Sequence, residues 1–404
     1  MLRRLRSNIF QRCLRVDSFS SSSANLALEI NGKIENFDFS AIWLRFNCHC
    51  PDCKQEGSGQ KTISPSDWPE EIKLEYAAFE GDFFKFRIEG EDHEGMIPGE
   101  MLRKYLRDEN LRLNGSTNMT YHRFPNDWVP EIDFSKTLHE AGQYELTTKI
   151  ATHGYCIVKN CSTMKNGVLE VARKISEPIP SVYGLTFDVV SLPNPNNIAY
   201  SSAGLDPHMD LVYFESPPGL QYLLCRRNDH VVKGGESTLI DAFEVAEHVK
   251  RAYPDDFEIL STVPVRFQKI HWERENPVYL EWEQPHIVLD SSGDISRVNW
   301  APSFEGVSDS NSMTDQYLKA YRRFLKEIEG SKTSMVRRLE PGECLVFNNR
   351  RMLHGRKEFQ LNGGVRHLEG TYTNICEFRS RAQVLECLQG CGKLIQKVGN
   401  SNAI

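Results

Sequence analysis

Cys48, Cys50 and Cys53 fall within six residues of a chain whose other eight cysteines are scattered. Random placement of 11 cysteines in 404 positions would produce a C-x-C-x-x-C about 0.008 times. The cluster therefore marks a built site. Two chemistries suit it: ligation of a metal by thiolates, or a redox pair at Cys50-Pro51-Asp52-Cys53. The redox reading is the weaker, because Cys48 stands beside the pair and no βαβ pattern follows. His49 lies between the thiols, but in so tight a loop it would have to compete for a metal. The odd and sparse cysteine count excludes a disulfide scaffold and fits a reducing compartment.

At 404 residues the chain is about two to three domain lengths, so two domains are expected. No run approaches the ~20 apolar residues that cross a bilayer. A net charge of −7 gives no global basic field for nucleic acid. Residues 1–16 carry five arginines and no acid, and a serine-rich stretch follows to Ser23. An amphipathic, arginine- and serine-rich, acid-poor start predicts a mitochondrial transit peptide over 1–25. A basic tail on a cytoplasmic protein is the plainer alternative.

Alternation over Leu26–Ile30 and Phe83–Ile88, with a short helix at Leu102–Leu106, predicts a β-rich module over 26–107. Residues 107–130 read as a linker. A larger domain spans 131–392, with strands predicted at Gly219–Cys225, Ser237–Ile240, Cys344–Phe347 and Gly364–Tyr372. Helices are predicted at Asn166–Ile175, Ala242–Tyr253 and Asp315–Glu329. Short, irregularly spaced strands without a G-x-G-x-x-G predict a mostly β barrel or sandwich with flanking helices, and no dinucleotide fold.

His208-Met209-Asp210 places an imidazole and a carboxylate two residues apart, which in a strand puts both on one face. His271-Trp272-Glu273 and His367-Leu368-Glu369 do the same, and spacing alone privileges none of the three. Context separates them. Downstream, Leu353-His354-Gly355-Arg356 is followed by Arg366. His208, Asp210 and His354 together would form a facial triad that leaves three positions open on a non-haem Fe(II). Arg366 would hold the far carboxylate of 2-oxoglutarate bidentately.

At this point the sequence resembles the gamma-butyrobetaine dioxygenase and trimethyllysine dioxygenase family of Fe(II)/2-oxoglutarate oxygenases. The resemblance rests on Trp43-Leu44-Arg45-Phe46-Asn47-Cys48, Tyr183-Gly184-Leu185-Thr186-Phe187, Asn196-Asn197-Ile198-Ala199-Tyr200, His208-Met209-Asp210, Pro217-Pro218-Gly219, Leu353-His354-Gly355-Arg356 and Arg366-His367-Leu368-Glu369-Gly370. It covers residues 26 to 390. It implies a double-stranded β-helix (jelly-roll) catalytic domain and a small zinc-binding amino-terminal domain, the zinc held by Cys48, Cys50, Cys53 and His93. It also implies that the two H-x-E pairs are not the iron site, that Asn197 assists Arg366 with 2-oxoglutarate, and that Tyr183, Phe187, Tyr200 and Tyr372 cage a trimethylammonium group.

The implied activity is hydroxylation of gamma-butyrobetaine to L-carnitine, with O₂ as co-substrate and ascorbate as the expected reductant. Trimethyllysine is the alternative substrate, and a non-catalytic zinc- and ligand-binding module the alternative of another class. A homodimer is compatible with the sequence but not specified by it. The chain departs from the butyrobetaine pattern in two places. Phe187 stands where tryptophan is usual, and Leu211 where a tyrosine follows the aspartate. Tyr213 could replace the missing ring only if the backbone bends there.

Overall fold

The computed structural model describes residues 14–30, 33–62, 64–103, 105, 129–191, 201–291, 293–307, 309, 313–331, 335–392, 395 and 398. Two compact units divide the chain, Met1–Thr117 and Asn118–Ile404.

The first unit is built from two small antiparallel sheets. One joins β1 (Leu14–Phe19), β2 (Ser23–Ile30) and β3 (Lys33–Ser40), the other β4 (Leu74–Glu80), β5 (Phe83–Ile88) and β6 (Glu94–Pro98). Ser40 closes β3 and caps the helix Ala41–Phe46, its hydroxyl accepting from Trp43 N–H. Leu26, Leu44, Phe84, Phe86, Ile88 and Ile97 are buried in one core with Cys48, Cys50 and Cys53. Residues 99–103 are helical, where a helix starting at Leu102 was expected.

The expected leader over 1–25 runs into this sheet. Residues 1–13 lie outside the described residues, but Leu14–Phe19 pairs with β2, and Ala24 is fully buried. A cut after residue 25 would remove one strand and split another, so β1 and the start of β2 belong to the folded unit. The linker expected over 107–130 lies almost wholly outside the described residues. At the far end, Val398 is buried in the core of the second unit, so that unit does not stop at 392.

The second unit is a double-stranded β-helix. Its strands, in chain order, are β7 (Glu131–Asp133), β8 (Tyr155–Lys159), β9 (Pro178–Ile179), β10 (Phe187–Val190), β11 (Leu205–His208), β12 (Leu220–Asn228), β13 (Lys233–Gly234), β14 (Ser237–Asp241), β15 (Val265–His271), β16 (Val278–Gln284), β17 (Ile287–Leu289), β18 (Ile295–Val298), β19 (Met335–Arg337), β20 (Cys344–Asn348), β21 (Met352–Arg356), β22 (Phe359–Gln360) and β23 (Arg366–Thr373). The large sheet runs β10-β23-β12-β20-β8-β7, with β9 also on β23, and the small sheet runs β11-β21-β14-β19. All pairs are antiparallel except β7 with β8. The burial of β12 and β20 along nearly their whole length accounts for their apolar runs, which Gln221 alone interrupts between Leu220 and Cys225. Phe347, Leu223, Leu239 and Leu368 fill the space between the sheets.

Helices cover the outside of this unit. Asp241 caps Ala242–Ala252 through Phe243 N–H and Glu244 N–H, and Thr314 caps Asp315–Glu329. The second helix buries Tyr317, Ala320, Phe324 and Ile328, a spacing of three to four residues, and leaves its charged face to solvent. Glu140–His153 and Ile375–Gln389 are helices that the sequence reading did not anticipate.

Candidate active site and metal centres

His208 ends β11 directly opposite His354 of β21, and their rings lie 4.3 Å apart. The expected strand geometry for His208-Met209-Asp210 is not the one found, because β11 stops at His208. Asp210 instead sits in a turn that Asn349 grips on both sides. Asp210 N–H donates to Asn349 Oδ1 and Asn349 Nδ2 donates to the Asp210 carbonyl, each at 3.0 Å. Leu211 then takes φ +55°, a left-handed conformation unusual for a branched residue. That is the bend the chain needed. It brings Tyr213 to the cavity wall, its hydroxyl 3.4 Å from that of Tyr183.

Asp210 Oδ1 lies 3.4 Å from His208 Nε2 and 3.9 Å from His354 Nε2, and all three ligand atoms are within 4.8 Å of one another. His208 Nδ1 donates to the Asp206 carbonyl at 2.8 Å, which turns Nε2 toward the group. Burial pushes the His354 imidazole down to about 3, against a weaker opposing pull from Asp210, so it is neutral. Burial would raise the Asp210 carboxyl, but the His208 imidazole beside it and the Tyr372 hydroxyl outweigh it and hold the group below the ordinary carboxylate range. Neutral imidazole and ionised carboxylate are the forms that bind a metal.

The triad faces a cavity of about 170 Å³ between the two sheets, and Arg366 also lines it. Arg366 is 4% exposed, donates through Nη2 to the Gly235 carbonyl, and keeps its Nε without a hydrogen-bond partner. Among the described residues no carboxylate lies within ion-pair distance of it. Burial lowers its guanidinium to about 10, so it remains a cation at neutral pH. A buried, uncompensated guanidinium calls for an anion from outside the protein. Arg356 shares the cavity and donates to the Ser201 and Ala203 carbonyls. Three of the four expected cage residues are on the wall: Phe187 stacks on Tyr372 at 5.1 Å, and Tyr183 lies 6.0 Å from Phe187. Tyr200 and Asn197 lie outside the described residues.

Two hydrogen bonds that the sequence reading did not anticipate complete the site. Gln221 and Tyr372 each donate to Asp210 Oδ2 at 2.7 Å. A glutamine inside the apolar run Leu220-Gln221-Tyr222-Leu223-Leu224 was a signal available in the sequence. The competing H-x-E pairs do other work. Glu369 is buried and accepts from Asn166 N–H and Val168 N–H at the start of the helix Gly167–Ala172, while His367 pairs with Asp188 at 2.6 Å. His271 ends β15 of the hairpin, with the exposed Trp272 directly after it.

In the first unit, His93 Nε2 lies 3.4, 3.9 and 3.6 Å from the Sγ atoms of Cys48, Cys50 and Cys53. Tetrahedral zinc, with Zn–S about 2.3 Å and Zn–N about 2.0 Å, sets sulfur and nitrogen about 3.5 Å apart, so the donor set fits that metal. Burial raises the Cys48 thiol and pushes that of Cys53 up to about 12. Met96 N–H donates to Cys48 Sγ, and Arg45, paired with Glu91 at 2.7 Å, donates to Cys53 Sγ. Such donors favour thiolates. His49 is turned away, with its ring bonded to the Asn47 carbonyl and Lys54.

Known proteins share this architecture of sequence. The taurine catabolism dioxygenase TauD, TfdA family matches residues 120–372, and the gamma-butyrobetaine hydroxylase-like amino-terminal family matches residues 19–82. A gamma-butyrobetaine dioxygenase from Pseudomonas sp. (strain AK-1) is 30% identical over 354 residues, 86% of this chain and 90% of the relative. A trimethyllysine dioxygenase from Meyerozyma guilliermondii is 28% identical over 374 residues, again 86% and 90% of the two chains. The human gamma-butyrobetaine dioxygenase is 23% identical over 388 residues, covering 90% and 93%.

Proposed function

We propose a substrate for an enzyme whose family is established: the chain belongs to the TauD/TfdA dioxygenases and, among them, to the gamma-butyrobetaine and trimethyllysine dioxygenase family. It is a 2-oxoglutarate-dependent dioxygenase. The substrate we assign is a small trimethylammonium carboxylic acid, with gamma-butyrobetaine, converted to L-carnitine, placed first. The observation that carries this reading is one cavity in which an open-sided His208–Asp210–His354 triad, an uncompensated Arg366 and the rings of Tyr183, Phe187, Tyr213 and Tyr372 meet.

His208, Asp210 and His354 would hold Fe(II) from one side, leaving the cavity side for ligands. When bound, the iron supplies O₂ activation coupled to oxidative decarboxylation of 2-oxoglutarate to succinate and CO₂, with one oxygen atom passing to the substrate. Arg366 would take the distal carboxylate of 2-oxoglutarate, and burial strengthens that pairing. A trimethylammonium group cannot donate a hydrogen bond, so ring faces are what can hold it. The apolar lining, with Leu205, Leu223, Ala301, Phe304 and Leu368, keeps water from the reacting atoms. In the first unit Cys48, Cys50, Cys53 and His93 would hold a structural zinc that leaves no open position.

Trimethyllysine is the second reading, since the same rings suit the same head group and one relative bears that name. The test is a mass-spectrometric screen of the purified protein with Fe(II), ascorbate, 2-oxoglutarate and either compound. Hydroxylation of gamma-butyrobetaine over trimethyllysine is expected. Hydroxylation of neither, with 2-oxoglutarate still consumed, would refute the substrate class. We also place the protein in mitochondria, on the arginines ahead of Leu14.

A further inference from the structure

We infer that Tyr372 and Gln221 are positioning residues for the metal, holding Asp210 so that a single oxygen faces the two histidines; this rests on the iron site proposed above. The histidines both come from the small sheet, His208 on β11 and His354 on β21. Asp210 belongs to neither sheet, and its side chain needs its own support. The large sheet supplies it. Gln221 on β12 and Tyr372 on β23 are directly opposite each other in the antiparallel register. Both reach the same atom, Asp210 Oδ2, at 2.7 Å. Oδ1 is thereby left toward His208 and His354.

Two features argue that this arrangement is kept for Asp210 rather than for packing. Gln221 is 1% exposed, and its Oε1 has no hydrogen-bond partner. Turning its amide N–H toward Asp210 thus strands a buried acceptor, an arrangement that packing alone would disfavour. Tyr372, 2% exposed, directs its hydroxyl away from the ring it stacks on, Phe187, and onto the carboxylate. Its ring thus serves the ammonium cage while its oxygen serves the metal. A carboxylate with both oxygens free could swing to chelate the metal and occupy a position that 2-oxoglutarate or O₂ needs; two donors on Oδ2 oppose that.

The experiment titrates the full chain, zinc retained, with Mn(II), which favours oxygen and nitrogen donors over the thiolates of the first unit, and reads free Mn(II) by electron paramagnetic resonance. Tyr372→Phe keeps the ring face and loses only the hydroxyl; Gln221→Leu keeps the volume. Each is expected to raise the Mn(II) Kd roughly 10-fold or more without lowering the thermal midpoint by a comparable amount. The double variant should be weaker than either. Where one variant fails to fold, the other carries the test. Wild-type-like Mn(II) affinity, within about twofold, in a folded Tyr372→Phe or Gln221→Leu protein would overturn the clamp and leave the metal site standing. A wild-type chain that binds no Mn(II) would overturn both.

Discussion

At position 370 a side chain has nowhere to go. Gly370 pairs with Phe187 across β10 and β23, and a Cβ there would stand 2.2 Å from Phe187 Cζ. The bare backbone is what lets the ring lie flat over the strand and reach Tyr372. Gly370→Ala should therefore push Phe187 off the cage and raise the Michaelis constant for the ammonium substrate about 2- to 30-fold, the worth of one desolvated ring. The constant for 2-oxoglutarate should hardly move; an equal rise in both would assign Phe187 to packing alone. Alanine at His208, Asp210 or His354 should abolish turnover and leave the circular dichroism spectrum unchanged. Substantial turnover by any of the three would put the metal elsewhere. Of these residues the triad was legible in the sequence, because donor chemistry restricts it to few residue types. Asn349 was not, because it acts through a contact between segments far apart in the chain, and for the same reason Tyr213 could be named only on the condition of a bend.

Single elements carry two further expectations. The Cys48–Cys53 loop holds the core of its unit together, with three buried thiols at one point. Cys50→Ser should release one zinc per chain and unfold that unit, since a structural site contributes folding free energy directly; metal analysis finding no zinc in the wild-type chain would refute the site. In the second unit, Arg351 from the β20–β21 turn donates through Nε and Nη2 to Asp241 Oδ2, at 3.0 and 2.6 Å. Asp241 Oδ1 meanwhile caps the helix Ala242–Ala252. Both side chains are buried, so Arg351→Met would leave an unpaired carboxylate and should cost about 3–5 kcal/mol of stability, read by urea unfolding. Elements such as β12, β14, β20 and the helix Asp315–Glu329 were legible because one period dominates each. Glu140–His153 was not: Leu146, Ile150 and Ala151 are buried among polar residues and make no continuous stripe.

The molecule as a whole should respond to acid through His286. It is fully buried, with Nδ1–H donating to the Asn299 carbonyl and Nε2 accepting from the Tyr317 hydroxyl. Burial pushes its imidazole down to about 4. Between that value and about 6.5 the unfolded chain binds the extra proton and the native one does not, so stability rises with pH across this window. Lowering the pH from 7 toward 4 should then cost roughly 3 kcal/mol at this one residue. Urea midpoints measured at pH 7, 6 and 5 check the slope, which His286→Leu should flatten. Targeting is also a property of the whole chain. Residues 1–13 fused to a fluorescent reporter should reach mitochondria, and a diffuse signal would remove that reading. A leader cleaved on import would have to end ahead of Leu14, because β1 is part of the sheet.

The order of motifs along the chain was enough to give the family and to name the two sets of metal donors that the fold brings together, and apolar runs gave four strands of the β-helix, β12, β14, β20 and β23. Residue chemistry is local: thiols, imidazoles and carboxylates at set spacings restrict what can bind, and apolar runs restrict what must be buried. Tertiary structure alone decided how those groups are held. The left-handed Leu211, the Asn349 grip on Asp210 and the unbonded Nε of the buried Arg366 depend on which segments pack face to face. Gly370 reads in sequence as a break in a strand, and only the opposing Phe187 shows that it opens the cavity. Such contacts follow from the closure of two sheets on each other, a long-range event that no short stretch of sequence encodes.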